Sequence, residues 1–307
     1  MISYLYQGRS CLTNLLTALN DWTLSLDKGI GTNVIYLDFQ KAFDTVPHCR
    51  LIKKLEAYGI KESLLLWIKD FLNGCSQQVV LNGLASETFA VSSGVPQGSV
   101  LGPLLFLVYV NDIPEQVACN ISMFADDTKI YTAVKDIADT QRLQADLNSL
   151  AKWANDWLLR FNVKKCKYMS VGPQLATTSY TITDADNVGH SLSTTDCEKD
   201  LGVWITSTLH PSVQCQKSYV KAMQSLGTIK RTFKYITKES FNILYKTYIR
   251  PHIEYCIQAW NPYYAKDIDL LEKVQHRATK LLPQLANLPY QERIQNLPFT
   301  AGGNVET

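Results

Sequence analysis

The sequence predicts an α+β fold, and two kinds of pattern support this prediction. Apolar residues alternate on both sides of a tight turn at residues 77–92 and 121–131, as they do in β-hairpins. Apolar residues recur at helical spacing over residues 9–26 and 139–161. With 307 residues and a hydrophobic fraction of 46%, the chain can bury the core of two domains, or of one large domain with an appendage.

Two adjacent carboxylates, Asp126 and Asp127, occupy the tip of the hairpin at residues 121–131. Adjacent carboxylates repel one another, and a bound cation such as Mg²⁺, which prefers oxygen ligands, would hold them together. A polar turn on the surface is the alternative interpretation. A third carboxylate, Asp38, follows the apolar strand at residues 34–37, where it is either a turn cap or a further ligand of the same metal.

A glycine-rich loop at residues 93–99 precedes a predicted helix that runs to about residue 113. Small residues before a helix allow a ligand to approach the main chain, and the free N–H groups there favour phosphate. An ordinary connection between a strand and a helix is the alternative interpretation, because glycine-rich loops are common.

The composition disfavours several classes of protein. The eight cysteines are scattered without a CxxC pair, which argues against a structural zinc site and favours a reducing compartment. The N-terminus shows no basic and apolar leader, and no run of about 18 apolar residues occurs. We therefore expect an intracellular protein, of the cytoplasm or nucleus, without a membrane segment. The net charge of +2 does not by itself identify a partner.

Three segments resemble the motifs of one polymerase family. Residues 36–44 (YLDFQKAFD) resemble motif A of reverse transcriptases, residues 93–106 (SGVPQGSVLGPLLF) resemble motif B, and residues 124–127 (FADD) resemble motif C. The sequences of these motifs are most similar to those of the non-LTR (LINE-type, jockey-like) retrotransposon enzymes. The resemblance extends over about residues 5–295.

The resemblance implies a right-hand polymerase fold, whose palm is an antiparallel sheet backed by helices, with partial fingers and a C-terminal helical thumb. The implied division is a residual fingers or connector helix at residues 1–30, a palm at 31–205 with a fingers insertion at about 48–92, a thumb at 206–290 and a tail at 291–307. Residues 210–280 carry twelve Lys and Arg against five Asp and Glu, which fits a thumb that holds nucleic acid, although a solvated helix face is the alternative for any single lysine.

The resemblance also implies a chemistry. An RNA-directed DNA polymerase adds dNTPs to the 3′-hydroxyl of a DNA primer on an RNA template, and two Mg²⁺ ions, or Mn²⁺ as a substitute, offset the charge of the reacting phosphates. Asp38, Asp126 and Asp127 match the metal-binding positions of the family. Lys165 matches the motif D lysine that is proposed as a general acid, with Lys164 and Lys167 as rival candidates.

Further positions match the family one at a time. Phe43 matches the steric gate that excludes a 2′-hydroxyl, although a core aromatic residue is the alternative interpretation. Gln97 matches the glutamine near the incoming nucleotide, and Phe39 and Gly98 stand beside it as nucleotide-binding candidates. Leu201 and Gly202 lie in a segment that resembles the primer grip. The primer and template candidates of the thumb are Lys217, Lys221, Lys230, Arg231 and Lys234.

Two features of the sequence favour alternatives to an active polymerase. The family's fingers segment supplies a lysine and an Arg-Pro-Ile element that grip the triphosphate, and this chain begins too late to include them. We therefore expect weak nucleotide binding, and a catalytically silent remnant that only binds nucleic acid is the alternative function. An RNA-dependent RNA polymerase is disfavoured by Phe43 and by the wording of motif B.

Overall fold

The computed structural model describes residues 10–174, 178–184 and 186–297, and the contacts within the chain divide it after Asp196. We call the part up to Asp196 unit 1 and the part from Cys197 onward unit 2. The division falls before the segment at residues 200–205 that the sequence assigned to the palm. Residues 1–9 of the predicted connector and residues 298–307 of the predicted tail lie outside the described residues.

Unit 1 alternates helices with short strands. Its helices are α1 (Cys11–Asp27), α2 (Ala42–Thr45), α3 (His48–Ala57), α4 (Glu62–Leu72), α5 (Leu101–Val110) and α6 (Ile137–Trp157), with a 3₁₀ turn at Ile113–Gln116. Its strands are β1 (Gly31–Leu37), β2 (Ser76–Gln77), β3 (Val80–Leu81), β4 (Leu84–Ala85), β5 (Phe89–Ala90), β6 (Asn120–Phe124), β7 (Asp127–Val134), β8 (Lys167–Val171), β9 (Thr181–Thr183), β10 (Gly189–Ser191) and β11 (Ser193–Thr194). Capping boxes begin the two long helices: the Ser10 and Asp136 side chains accept from the third residue of α1 and α6.

A five-stranded sheet in the order β11-β8-β1-β7-β6 organises unit 1. The pairs of β1 with β7, β1 with β8, and β6 with β7 are antiparallel, and β11 runs parallel to β8. Side chains alternate between the two faces. One face, with Ile35 and Ile130, joins a buried core that includes residues of α3, α5 and α6. On α1, the ring of Trp22 meets Tyr131 of the sheet edge-on at 5.8 Å.

Two predicted elements differ from the structure in extent. The helix predicted for residues 139–161 ends at Trp157, because Leu158 takes a left-handed conformation (φ +56°) and Phe161 pairs with Phe39 in an isolated β-bridge. The hairpin predicted for residues 77–92 is two nested pairs of short strands, with the Asn82-Gly83 turn at positive φ in both residues.

Unit 2 joins a β-hairpin to a set of helices. The hairpin strands are β12 (Cys197–Asp200) and β13 (Val203–Thr206), and the helices are α7 (Ser212–Thr232), α8 (Lys238–Leu244), α9 (Arg250–Glu254), α10 (Ala265–Thr279) and α11 (Tyr290–Gln295), with a π-helical turn at Tyr245–Ile249 and a 3₁₀ turn at Ile257–Ala259. The unit has its own apolar core, which includes Ala222 and Ile229 of α7, Tyr245, and Val274 and Ala278 of α10.

A buried lysine fastens three helices of unit 1. Lys54 of α3 is 5% exposed, and its ammonium bonds to the Tyr109 carbonyl and, at 2.5 Å, to Asp112 Oδ1. It also lies 3.8 Å from the ring centre of Trp157 and 4.9 Å from those of Tyr109 and Trp153. Burial lowers the pKa of Lys54, and Asp112 opposes that shift by favouring the charged form. The aromatic rings and the carboxylate together hold a charge that the interior would otherwise exclude.

We expect Lys54→Ala to lower the free energy of unfolding by about 3 kcal/mol, because it removes one partner of a largely buried ion pair and empties the aromatic cage. Lys53→Ala, at an exposed position of the same helix, should change it by less than about 0.5 kcal/mol. Urea unfolding followed by circular dichroism measures both values. Equal losses in the two variants would show that the cage does not stabilise the fold.

Candidate active site

The paired acids lie where two strands of the sheet turn. β6 ends at Phe124 and β7 begins at Asp127, so Ala125 and Asp126 form a two-residue turn. Ala125 has a φ of +55°, a left-handed conformation that costs a non-glycine residue about 1–2 kcal/mol. Main chain of this kind persists only where the surrounding structure holds it, and it is concentrated at functional sites.

The third acid reaches the same end of the sheet through the pairing of β1 with β7. The register matches Leu37 with Thr128 at the end of the ladder. Asp38 follows Leu37 directly, and Asp127 directly precedes Thr128, so both acids lie at the same end of adjacent strands. The sheet therefore brings together two segments that are far apart in the sequence.

The carboxylates provide oxygen donors of the kind that a divalent cation takes. Asp38 Oδ2 is buried and accepts no hydrogen bond from the described part of the chain, and it faces the Lys165 ammonium at 3.5 Å, a weak ion pair that a metal ion could replace. Among the described residues, no three acid, histidine or cysteine side chains converge closely enough to hold a single ion. Coordination of one ion by all three acids therefore requires rotation of their side chains. Their carboxylate oxygens and their common position at the strand ends are compatible with such coordination.

Lys165 is a cation beside the first acid. Its Nζ lies 3.5 Å from Asp38 Oδ2, and its side chain is 67% exposed. The loop before Lys165 is fastened to the main chain around Asp38: the Asn162 N–H donates to the Asp38 carbonyl at 2.7 Å, and the Gln40 N–H donates to the Arg160 carbonyl at 2.8 Å. An exposed ion pair of this length is weak, so the ammonium can leave Asp38 for another anion at little cost.

The loop at residues 93–99 is held against the turn that follows Asp38. The Val95 N–H donates to the Phe43 carbonyl at 2.7 Å. Gly94 has a φ of +91°, and a Cβ on it would lie 2.7 Å from the carbonyl oxygen of Asp44. Only glycine permits this close approach of two main chains.

Two of the nucleotide candidates have side-chain partners in this region. The ring of Phe43 is half-buried and stacks on Phe106 of α5 with 4.4 Å between the ring centres. Gln97 Nε2 donates to Asp44 Oδ1 at 3.2 Å, which ties the glycine-rich loop to α2 by a side chain as well. Asp44 thus serves as an anchor for the loop.

The other two nucleotide-binding candidates, Phe39 and Gly98, can contact a ligand through their main chains but not through side chains. Phe39 is 5% exposed and its ring stacks on Phe161 at 4.5 Å, so any contact it makes with a ligand runs through its main chain. Gly98 has a φ of +85°, and no atom lies within 4 Å of the position that a Cβ would take. Gly98 therefore leaves open space beside the loop.

The sequence-predicted primer and template residues lie in unit 2. Leu201 and Gly202 form the turn between β12 and β13, with φ of +44° and +89°, the pattern of a type I′ hairpin turn. Lys217, Lys221, Lys230 and Arg231 belong to α7, whereas Lys234 follows the end of that helix.

Comparison with known proteins identifies the family. A family model described as reverse transcriptase (RNA-dependent DNA polymerase) matches residues 3–236, which is more than half of the chain. The chain belongs to the reverse transcriptase family. The assignment made from motifs A, B and C is thereby confirmed.

The curated relatives of this reverse transcriptase chain are mobile-element polymerases. The RNA-directed DNA polymerase from mobile element jockey of Drosophila melanogaster is 37% identical over 140 residues, which cover 43% of this chain and 15% of the relative. The jockey polymerase of Drosophila funebris is 27% identical over 288 residues, 89% of this chain and 30% of the relative. The probable RNA-directed DNA polymerase from transposon BS of Drosophila melanogaster is 27% identical over 308 residues, which cover 94% of this chain and 32% of the relative. The chain thus spans about a third or less of each relative's length.

A solved structure of telomerase from Candida albicans matches 99% of this reverse transcriptase chain and 54% of the telomerase chain, with 10% sequence identity and a TM-score of 0.47. This likeness is too distant to support an argument. Within residues 10–174, 178–184 and 186–297, no helix combines the length and the apolar character that crossing a bilayer requires.

Asn14 of α1 contacts the acidic hairpin of this reverse transcriptase, and sequence reasoning did not single it out. Its Nδ2 donates to the Met123 carbonyl at 3.0 Å, and its Oδ1 accepts from Ser122 Oγ at 2.8 Å and from Lys129 Nζ at 3.2 Å. The three partners flank the turn that carries Asp126. No local signal marks Asn14, because Met123 is 109 residues away in the sequence.

If the chain is the polymerase proposed below, Asn14→Ala should slow primer extension by about tenfold, since the hairpin would lose the contacts that hold β6 beside α1, and a misplacement of catalytic groups by about 1 Å can cost about 10²-fold. The unfolding free energy should fall by about 1–2 kcal/mol. Single-turnover extension kinetics and urea unfolding measure the two quantities. Asn20→Ala, at an exposed position of the same helix, should leave both unchanged. A rate that falls only in proportion to the folded fraction would contradict a positioning role for Asn14.

Proposed function

We propose that this chain is the polymerase domain of a non-LTR retrotransposon and adds dNTPs to the 3′-hydroxyl of a DNA primer on an RNA template. The observation that carries the proposal is the common strand end at which Asp38, Asp126 and Asp127 lie. Membership of the reverse transcriptase family and the jockey-type relatives support it.

Asp38, Asp126 and Asp127 are the residues that would hold the two Mg²⁺ ions, with Mn²⁺ as a substitute. When bound, divalent ions lower the pKa of the attacking hydroxyl and offset the charge of the triphosphate. The buried Oδ2 of Asp38 suits this role, because it accepts no hydrogen bond from the described residues and its ion pair with Lys165 at 3.5 Å is weak. Lys165 then supplies a proton donor beside the same acids and is our candidate for protonating the departing pyrophosphate.

We assign the sheet of unit 1 to a polymerase palm, the α3–α4 segment and the nested hairpins at about residues 48–92 to part of the fingers, and the helices of unit 2 to a thumb. In the palm, Phe43 is the steric gate, and Gln97, Gly98 and the main chain of Phe39 receive the nucleotide. In unit 2, the residues proposed to contact the primer and template are Leu201, Gly202, Lys217, Lys221, Lys230, Arg231 and Lys234. Free thiols at the described cysteines support a reducing cytoplasm or nucleus as the compartment.

We expect Asp126→Asn to reduce primer extension by at least about 10³-fold, because it removes a charged ligand while the hairpin stays intact. The assay uses the 307-residue chain, an RNA template with an annealed DNA primer, and Mg²⁺ or Mn²⁺ in separate arms. Asp70→Asn, at an exposed position of unit 1, is the matched control and should extend like the parent. Extension by Asp126→Asn at the parental rate would refute the metal assignment.

The same assay separates the two candidate functions. Duplex binding by the parent without any extension, at high dNTP concentration and with either metal, would favour the catalytically silent alternative. Extension that depends on dNTPs supports the polymerase.

We expect Phe43→Ala to lower the preference for dNTP over NTP by about tenfold or more, because the missing ring no longer opposes a 2′-hydroxyl. Phe43→Tyr keeps the bulk and should keep the preference. Since Phe43 stacks on Phe106, the alanine variant should also lose about 2 kcal/mol of stability, which urea unfolding reports separately. The ratio of kcat/KM for dNTP and NTP is the deciding measurement, and an unchanged ratio would mean that Phe43 acts only as a core residue.

A further inference from the structure

The nested strand pairs of unit 1, which we call the ribbon (residues 76–90), expose large apolar side chains. Neither pair joins the five-stranded sheet. Five side chains of the ribbon are 61–79% exposed: Val79, Val80, Leu81, Leu84 and Phe89. Together they expose on the order of 500 Å², a size at which the largest apolar patch of a monomeric protein is often functional. The ribbon is therefore a candidate interaction surface.

Strand pairing places most of these side chains on one face of the ribbon. Residues opposite one another in paired strands point to the same face, and neighbours along a strand point to opposite faces. Leu81 pairs with Leu84, and Phe89 pairs with Gln77. Val79 lies midway between Gln77 and Leu81, and its carbonyl is hydrogen-bonded across the ribbon at 2.8 Å. Val79, Leu81, Leu84 and Phe89 thus share one face, which we call the apolar face.

The ribbon carries no charge that would repel a second copy of the chain. Residues 71–86 contain no Asp, Glu, Lys, Arg or Pro, and Glu87 is the first charged residue after them. Proteins commonly protect exposed strands with lysine, proline or an inward-pointing charge. An uncharged apolar strand segment without proline is the kind of segment that packs against an identical copy of itself. The composition of the ribbon therefore favours self-association.

The ribbon is preformed, so little order has to be gained when its apolar face is covered. The Asn82-Gly83 turn takes positive φ at both residues, as a type I′ hairpin turn requires. The Ser86 hydroxyl accepts from the Val79 N–H at 3.0 Å and donates to the Glu87 carbonyl at 2.9 Å. These bonds fix the two strands on either side of the apolar face. A rigid surface loses less conformational entropy on association than a loop does.

We propose that two copies of this chain form a dimer in which the two apolar faces pack against each other about a two-fold axis. A two-fold contact uses the same patch on both copies, and each face is covered once, so association ends at two copies. The pair would bury about 1,000 Å² in total, which is near the lower limit for a specific interface. We therefore expect a weak dimer with a dissociation constant on the order of 10 μM.

The test is sedimentation velocity of the full chain, freed of nucleic acid, over about 1–100 μM. The parent should change from monomer to dimer across this range. Leu81→Asp and Leu84→Asp should each weaken association by at least about 30-fold, because each copy would bury a carboxylate in the contact. Both side chains are exposed in the single chain, so thermal unfolding should confirm that the variants are folded.

Ile137→Asp is the matched control, because Ile137 and Leu81 are both 71% exposed. Ile137 is the first residue of α6, where the helix dipole favours an acidic side chain. This variant should dimerise like the parent.

Hydrogen exchange gives a second measurement that needs no substitution. The main-chain amides of residues 76–90 should exchange more slowly at high protein concentration, because the second copy excludes water from them. The amides of α1 should exchange at the same rate at all concentrations.

Three outcomes would overturn the proposal. A chain that stays monomeric at about 100 μM has no such contact, and a dimer that persists in both aspartate variants uses another surface. Growth beyond two copies would show that strand edges pair instead of the apolar faces. Trp67→Asp, at an exposed position of α4, identifies one other surface: loss of the dimer in this variant alone would assign the contact to α4. Because the experiment measures association alone, its result is independent of the proposed polymerase function.

Discussion

The hydrogen-bonded register between β1 and β7 is the constraint on which the site depends. The ladder from Gly31 and Val134 to Leu37 and Thr128 leaves Asp38 and Asp127 at the same strand ends. A shift of one residue would move the side chains of a strand to the opposite face. The apolar residues of both faces oppose such a shift, because each has a buried environment to lose. The core of unit 1 therefore holds together carboxylates that would otherwise repel one another.

Segments outside the sheet complete the site through a few polar contacts of short range. Asn14 holds the hairpin beside α1, the loop before Lys165 binds the main chain at Asp38, and the loop at residues 93–99 is fixed by Gly94 and Asp44. Each contact uses main-chain groups, whose positions vary less than those of long side chains. The charged side chains remain only loosely paired, as the 3.5 Å separation of Lys165 and Asp38 indicates.

Positive charge and main-chain strain occur together in unit 2. The Leu201-Gly202 turn takes positive φ at both residues, and Tyr255 and Trp260 hold it in place. The lysines beside the turn stand on a helix that Gln214 binds to the hairpin. Rigid main chain with exposed cationic tips is suited to a polyanion, because phosphate contacts need charge at a fixed spacing but little burial.

The sequence alone determined the family motifs, the acidic hairpin, the glycine turns and most helices, because these depend on residues close together in the chain and on hydrophobic periodicity. It extended α6 to Phe161, since apolar spacing continues past the left-handed residue that ends the helix. Only the tertiary structure decided the roles of Asn14 and Lys54. Their partners lie tens to more than a hundred residues away in the sequence. The local sequence around an isolated polar residue on a helix does not indicate which group it will contact. These roles therefore follow from contacts between residues far apart in the chain and not from the local sequence pattern.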